Sequence, residues 1–299
     1  MLSVKPRTRL ALTAYAFLLP GLALFATFMI YPLLKALQMS LYEWSIFPGR
    51  ESSYVGLANY AQAFRDPIVT LAFRNTLLYM AITVPGQMVL AMIAALLLNS
   101  IVRGRVFFRG LYYLPVITSW VIVSLLFKYL FEWPNGLINY LLVNVFHLIA
   151  EPVQWLYQPS TALVAIMALG IWKGIGWSMV ICLAALQTIP PQLYEVASID
   201  GANAWHRFWK ITLPLLRPTV VFTLVMLVIG AFNVFISVAL ITGGRPQHKT
   251  EVVLTYMYHQ AFDFLDFGYG AALSYLLAGL ILVLSFLQLK VLRRPQELY

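Results

Sequence analysis

Long uncharged runs dominate this sequence and set what it can fold into. They cover residues 10–34, 75–102, 110–127, 152–172 continuing past Lys173 to 194, 218–244 and 267–289. A membrane-spanning helix needs roughly 20 apolar residues. The runs therefore supply six spans, the fourth run being one span plus its flanks. Backbone groups in lipid must bond within their own segment, which makes the helix the expected spanning form. The strict alternation of a β-barrel strand is absent, and residues 90–98 are apolar on every face. The expected fold class is an all-α integral membrane protein of about six transmembrane helices. The composition agrees: 61% of the 299 residues are hydrophobic and 10% charged, whereas soluble domains carry about 25% charged residues.

Six spans put both termini on one side. The segments on that side are 1–9, 103–109, 188–217 and 290–299. They hold Lys5, Arg7, Arg9, Arg103, Arg105, Arg109, Arg207, Lys210, Arg217, Lys290, Arg293 and Arg294 against Glu195, Asp200 and Glu297. The opposite segments balance Lys35, Arg50, Arg65, Arg74, Lys128, Arg245 and Lys249 with the remaining acids. The positive-inside bias therefore places both termini in the cytoplasm. The net charge of +9 is this bias. Basic residues are spread in threes rather than gathered on one face, so no nucleic-acid partner is expected. The run 10–34 reads as a span, since about 25 apolar residues exceed a leader's core.

A single membrane domain is expected, with a cytoplasmic tail at 1–9, a structured cytoplasmic loop at 188–217 and external caps at 35–72 and 131–158. The first span ends near Tyr31–Pro32 on this reading. The first cap is aromatic (Tyr42, Trp44, Phe47, Tyr54, Tyr60, Phe64), as befits residues at headgroup depth. The uncharged stretch 133–150 is too rich in Pro, Gly, Asn and His to span and reads as a short interfacial helix. Pro85–Gly86 and Pro115 interrupt the second and third spans. Such breaks mark either a plain kink or a place where a cavity or neighbour satisfies the freed backbone groups.

The loop 188–217 carries most of the functional signal. Thr188 reads as an N-cap with Pro190 and Pro191 in the first turn. A helix to about Asp200 follows, ended by Gly201. A second helix starts near Asn203. Its Trp205, Phe208 and Trp209 recur at helical spacing and form one apolar face. Pro214 and Pro218 are expected to break the chain and redirect it into the fifth span.

Glu195-Val196-Ala197, then Gly201 four residues on, then Ile211-x-Leu213-Pro214 ten residues after that Gly, resembles the EAA signature of permease subunits of binding-protein-dependent ABC importers. Asp200, Gly201 and Ala202 match its longer form; Val196 stands where Ala is usual. The resemblance runs over nearly the whole chain. Residues 55–60 with Phe64, Asn75-Thr76-Leu77, Arg109 with Pro115 and Ser119, Gly136 with Asn139, residues 186–190, and Thr242-Gly243-Gly244-x-Pro246 look like the sugar-type permeases of the maltose and glycerol-phosphate group. It implies a type I importer permease that pairs with a second, related permease, two cytoplasmic ATP-binding subunits and an external or periplasmic binding protein. It implies that Glu195, Ala197, Ser198, Asp200, Gly201 and Ala202 form a coupling helix seated in a cleft on the ATPase, with Glu195 as charge partner of a basic residue there. The implied mechanism is alternating access driven by ATP. This chain lacks a phosphate-binding G-x-x-x-x-G-K-[ST] loop, so ATP and Mg belong to the partner ATPase and no cofactor is expected on this chain.

Polar residues inside spans are costly and face the bundle interior. Trp172, Lys173, Gly174 and Trp177 in the fourth span, and Gly230, Asn233 and Ser237 in the fifth, are the expected substrate-binding set. Aromatic rings suit the C–H faces of sugars, and amides and hydroxyls suit their OH groups. By resemblance to the maltose permease, Gly174, Trp177, Gly230 and Asn233 match sugar-site positions, and Lys173 stands where that relative is apolar. The same residues also suit plain helix packing. The cargo reading is a mono- to oligosaccharide; glycerol-3-phosphate or a related phosphodiester or polyol is the alternative Lys173 raises. An ion-coupled carrier ranks lower, because the acids lie outside the spans. No catalytic constellation and no metal spacing are present: the four histidines are scattered and Cys182 is the single cysteine. The chain reads as a pore-forming subunit, not an enzyme.

Overall fold

The computed structural model describes residues 6–49, 51–100 and 104–292, with side chains from residue 13 to 291 within these ranges. Lys5, Arg50, Arg103, Arg293, Arg294 and Glu297 lie outside the described residues. The chain is almost wholly helical. Among the described residues five helices are long and apolar enough to cross a membrane, and a bent helix pair makes a sixth if counted as one span. The expected all-α class with about six spans is observed.

The chain falls into two compact units, Met1–Arg65 with Met257–Leu276, and Asp66–Tyr256 with Leu277–Tyr299. The first opens with α1 (Pro6–Phe25), a π turn (Ala26–Ile30) and α2 (Tyr31–Ser40). These are continuous, so the first span does not end at Tyr31–Pro32 as expected. Pro32 falls at the start of α2, where its missing N–H is harmless. Lys35 is therefore helical; it bonds Gln38 Oε1 at 2.9 Å and sits 4.9 Å from the centre of the Trp44 ring. The antiparallel pair β1 (Tyr42–Glu43) and β2 (Ser53–Tyr54) and the helix α3 (Ala58–Arg65) complete the aromatic segment. Asn59 donates to the carbonyls of Ser40 and Tyr42, tying α3 to the end of α2.

The second unit is organised around α4 (Pro67–Ser100) and α8 (Pro159–Leu186). The 34 residues of α4 reach about 51 Å, well beyond the roughly 30 Å of a bilayer core. The helix starts before the uncharged run does and continues through Pro85 without a break. Gly86 beside it gives room to Ile171 of α8. Gln87 crosses the seam and donates to the Gly170 carbonyl at 3.1 Å. Between them lie α5 (Arg105–Ile117) and α6 (Trp120–Leu130), bent by 92° at 118–119.

Next come α7 (Leu137–Tyr140) and a π turn (Leu141–Val145). They are held by Asn139, which is buried and bonds Val153 N and O and Trp155 Nε1 at 2.9–3.1 Å. The stretch 152–158 is not part of the fourth span, which begins at Pro159 with Pro at its first turn. After α9 (Pro191–Ile199) and α10 (Ala204–Arg207), a π turn (Phe208–Thr212) leads into α11 (Leu213–Phe232). Residues 233–235 are non-helical, and α12 (Ile236–Ile241) follows and packs against α6. The chain ends its described part with α13 (Val253–Tyr258), a π turn (His259–Asp263) and α14 (Phe267–Leu292).

Two motifs distant in sequence meet here. Asn75 Nδ2 donates to the carbonyls of Lys249 and Glu251 at 2.9 and 2.8 Å, and Thr76 Oγ1 accepts from Val253 N at 3.1 Å. They fasten the turn after Thr242-Gly243-Gly244 to α4. Glu251 lies outside the spans yet is fully buried, with His248 and Thr255 as partners.

At Gly176 α8 lies directly against α5: a Cβ there would run into the Tyr112 backbone carbonyl. Backbone cannot rotate away, so Gly176→Ala is expected to cost about 1–3 kcal/mol. At Gly279 in α14 nothing lies within 4 Å of an added Cβ, and Gly279→Ala is expected to be neutral or stabilising by about 0.4–1 kcal/mol. Thermal unfolding of the two purified variants checks the pair.

Candidate functional site

The loop between α8 and α11 forms an elbow built from local rules. Thr188 does not cap α9 as expected. Its Oγ1 donates back to the Ala185 carbonyl at 2.8 Å and closes α8. Pro190 and Pro191 hold the preceding residues extended, so Pro190 itself takes the N-cap position and Pro191 starts the helix.

The end of α9 is a Schellman turn. Gly201 adopts φ of +80°, its N–H bonds the Ser198 carbonyl at 3.1 Å, and Ala202 N–H bonds the Ala197 carbonyl at 2.8 Å. Asn203 then caps α10 by accepting from His206 N at 2.9 Å. Two further bonds cross the elbow: Tyr194 Oη with Thr212 Oγ1 at 2.9 Å, and Arg207 Nη1 to Ser198 Oγ at 2.9 Å.

This fastening uses one side of α9 and leaves the other open. Tyr194 and Ala197 are half-buried, as is Ala202 beyond the turn, while Glu195, Val196, Ser198, Ile199, Asp200 and Gly201 are exposed. Ile199 is 85% exposed and Val196 58%. An apolar pair flanked by two acids is thus left uncovered. The face of Trp205, Phe208 and Trp209 forms as expected, with ring centres 5.3–5.5 Å apart. Trp205 and Trp209 remain exposed rather than lying on the chain's own spans.

Pro214 and Pro218 do not break the chain. Leu213 N–H reaches back five residues to the Phe208 carbonyl. This π turn shifts the bonding frame, so Pro214 falls in the first turn of α11, where no N–H is missed. The helical rod therefore runs without interruption from Ala204 to Phe232, about 43 Å, from the elbow to the break at 233–235.

The structure divides the expected substrate set. Gly230 and Asn233 are exposed at the end of α11, with no neighbour within 4 Å of where a Gly230 Cβ would stand. Asn233 Nδ2 donates to the Ile229 carbonyl at 2.8 Å. Trp172 is 42% exposed and packs its ring 5.6 Å from that of Phe127 in α6. Trp177 is half-buried. Ser237 is buried in α12, and the place of a Gly174 side chain is taken by Gln87.

Lys173 is 3% exposed. Its ammonium donates to the carbonyls of Pro115 and Thr118, each at 2.7 Å, and sits 4.9 Å from the centre of the Trp120 ring. Sequence reasoning singled out Lys173 and Pro115 but missed Trp120 and Gln87. Gln87, a polar residue inside the second uncharged run, carried the signal used for Asn233, whereas Trp120 becomes informative only through helix contacts.

A family model described as a binding-protein-dependent transport system inner membrane component matches residues 87–296. The chain belongs to this family. It is a multi-pass inner-membrane permease component of an ABC importer, a transport subunit rather than an enzyme. It is 36% identical over 278 residues to the lactose transport system permease protein LacF of Rhizobium radiobacter, covering 92% of each chain. It is 34% identical over 280 residues to the arabinooligosaccharides transport system permease protein AraP of Bacillus subtilis (strain 168), covering 93% of this chain and 87% of that one. Among solved structures it is similar to a chain of a bacterial ABC transporter involved in the import of the acidic polysaccharide alginate. The TM-score is 0.84 and the identity 26%, over 97% of this chain and 98% of that one. A second match, at TM-score 0.83 and 26% identity over 96% of each chain, is to an alginate ABC transporter in complex with alginate pentasaccharide-bound periplasmic protein.

Gly201→Val forces a branched side chain into the left-handed region and is expected to destabilise the elbow by about 1–2 kcal/mol, with Gly201→Asn milder. Faster hydrogen exchange at the N–H of position 201 and of Ala202 in the Val variant is the measurement.

Proposed function

We propose that this chain, with a second related permease, lines the path of a sugar or oligosaccharide delivered by a binding protein, and that two partner ATP-binding subunits drive it. The observation that carries the reading is the elbow at α9. It is cross-fastened on one face and bare on the other, and it sits at the foot of a rigid helix that reaches the exposed Gly230–Asn233 region. A subunit pushed at Glu195, Val196, Ile199 and Asp200 would move α11 as one body. In this reading Glu195 meets a basic residue on an ATP-binding subunit, with Ala197, Ser198, Asp200, Gly201 and Ala202 shaping the docked surface. ATP and Mg stay on that partner. Both termini lie on the cytoplasmic side with the elbow, and the caps at 35–72 and 131–158 face the binding protein.

The sugar reading draws on cargo named for relatives: lactose and arabinooligosaccharides. It also draws on the chemistry of the open residues, Trp172, Gly230 and Asn233, an aromatic ring and an amide beside free space. Lys173 supports the sugar reading over a phosphodiester. Its donors are spent on two carbonyls and a ring face, so it offers no free cation to a phosphate.

Reconstitution with its partner subunits and binding protein tests the proposal. ATP-dependent uptake of labelled oligosaccharide into vesicles is expected, and sugar uptake without ATP, or none with it, sinks the reading. Glu195→Lys is expected to cut uptake at least tenfold, roughly the loss of one charge-assisted contact, while the chain still inserts and the partner still hydrolyses ATP. Normal uptake by that variant contradicts the docking role of Glu195.

A further inference from the structure

We propose that Lys173 is a positioning residue for transport: it ties α8 to the break between α5 and α6 and so sets the direction of α6 and of α12 packed on it. The inference rests on the reading that the break at 233–235 borders the cargo path.

A 92° bend between Ile117 and Trp120 strips helical partners from the last carbonyls of α5. Those carbonyls are the negative end of that helix. Lipid offers them nothing. The bend is closed from three directions. Thr118 Oγ1 donates to the Pro115 carbonyl at 2.7 Å. Ser119 caps α6 by accepting from Val121 N at 3.3 Å. The ammonium of Lys173 takes the Pro115 and Thr118 carbonyls at 2.7 Å each, with the Trp120 ring over it. The first two belong to the bent segment itself. Lys173 alone of these groups comes from another helix, and it fixes where the corner sits.

The next residue back makes a second tie from α8. The Trp172 ring meets Phe127 two turns further along α6. Two neighbouring residues of α8 thus hold α6 at its start and along its length. Because α6 packs on α12, and α12 begins at the break after Asn233, the place of that break follows from α8 through Lys173. A cation whose donors are filled by backbone holds a broken helix in position rather than binding cargo.

The test uses spin labels placed at Phe107 of α5 and Tyr129 of α6. Both sites are exposed, and Cys182 is buried and stays unlabelled. Distances are read by pulsed electron resonance in the reconstituted transporter, alongside uptake kinetics. In Lys173→Met the distance distribution is expected to widen and shift by several ångströms, with uptake at low sugar down about tenfold, the scale of one orphaned carbonyl, since Pro115 keeps Thr118 Oγ1 while the Thr118 carbonyl loses its partner. Lys173→Arg, which keeps charge and donors, is expected to restore both. Lys173→Gln, with one donor arm, is expected to fall between and replaces the Met variant if that does not fold.

An unshifted distribution in the Met or Gln variant overturns the tie. A shifted distribution with wild-type KM and rate overturns its role in transport. Failure of the unsubstituted transporter to carry sugar would count against the function proposed above, and the distance measurement would still decide the fate of the tie.

Discussion

Lipid cannot hydrogen-bond to a protein backbone, and this structure is arranged around that constraint. Helices such as α4 and α8 meet it internally and pack as a pair, with Gln87 reaching across to the Gly170 carbonyl. Two other spans break, at 118–119 and at 233–235, and at the first break the Pro115 and Thr118 carbonyls and the Val121 N–H find partners. Thr118, Ser119 and Lys173 supply them. An ammonium buried at a helix C-terminus would be costly by itself. Two carbonyls and an indole ring make it affordable, and in turn the corner is held in one place.

The breaks give the second unit its working geometry. Continuous helix leads from the elbow to Phe232, and discontinuity begins where Gly230 and Asn233 are open. In the function proposed above, this rod would carry displacement from the elbow to the broken segment. The π turn at Phe208–Thr212 carries this rod past Pro214, and α11 continues through Pro218. The turn exchanges the ordinary bonding frame for one in which Pro214 lacks nothing. The Schellman turn and the Tyr194–Thr212 and Arg207–Ser198 bonds cross-fasten the elbow at its foot.

The resemblance in the loop 188–217 and the family match point the same way, and their agreement has a physical basis. The loop's features are short-range: a glycine at positive φ, an asparagine cap and prolines at helix starts. Each is written within about five residues, so each was legible without a fold. Membrane spans were legible for a similar reason, since length and absence of charge alone mark them. Their ends were less so. The first span ran on through Pro32 to Ser40, and α4 began at Pro67, because partner contacts and aromatic neighbours sustain helix where hydropathy has faded.

The sequence by itself determined the class of molecule, the elbow and the residue types available to meet a cargo. Only the tertiary structure decided what those types do. Lys173, expected on the cargo path, has its ammonium on the carbonyls of Pro115 and Thr118, and Gln87 stands where a side chain at Gly174 would be. Asn75 and the glycines after Thr242 were separate signals until folding joined them across some 170 positions. The reason is range. Turn chemistry and hydropathy are fixed by near neighbours, whereas the fate of a buried donor depends on which distant carbonyl has lost its own partner.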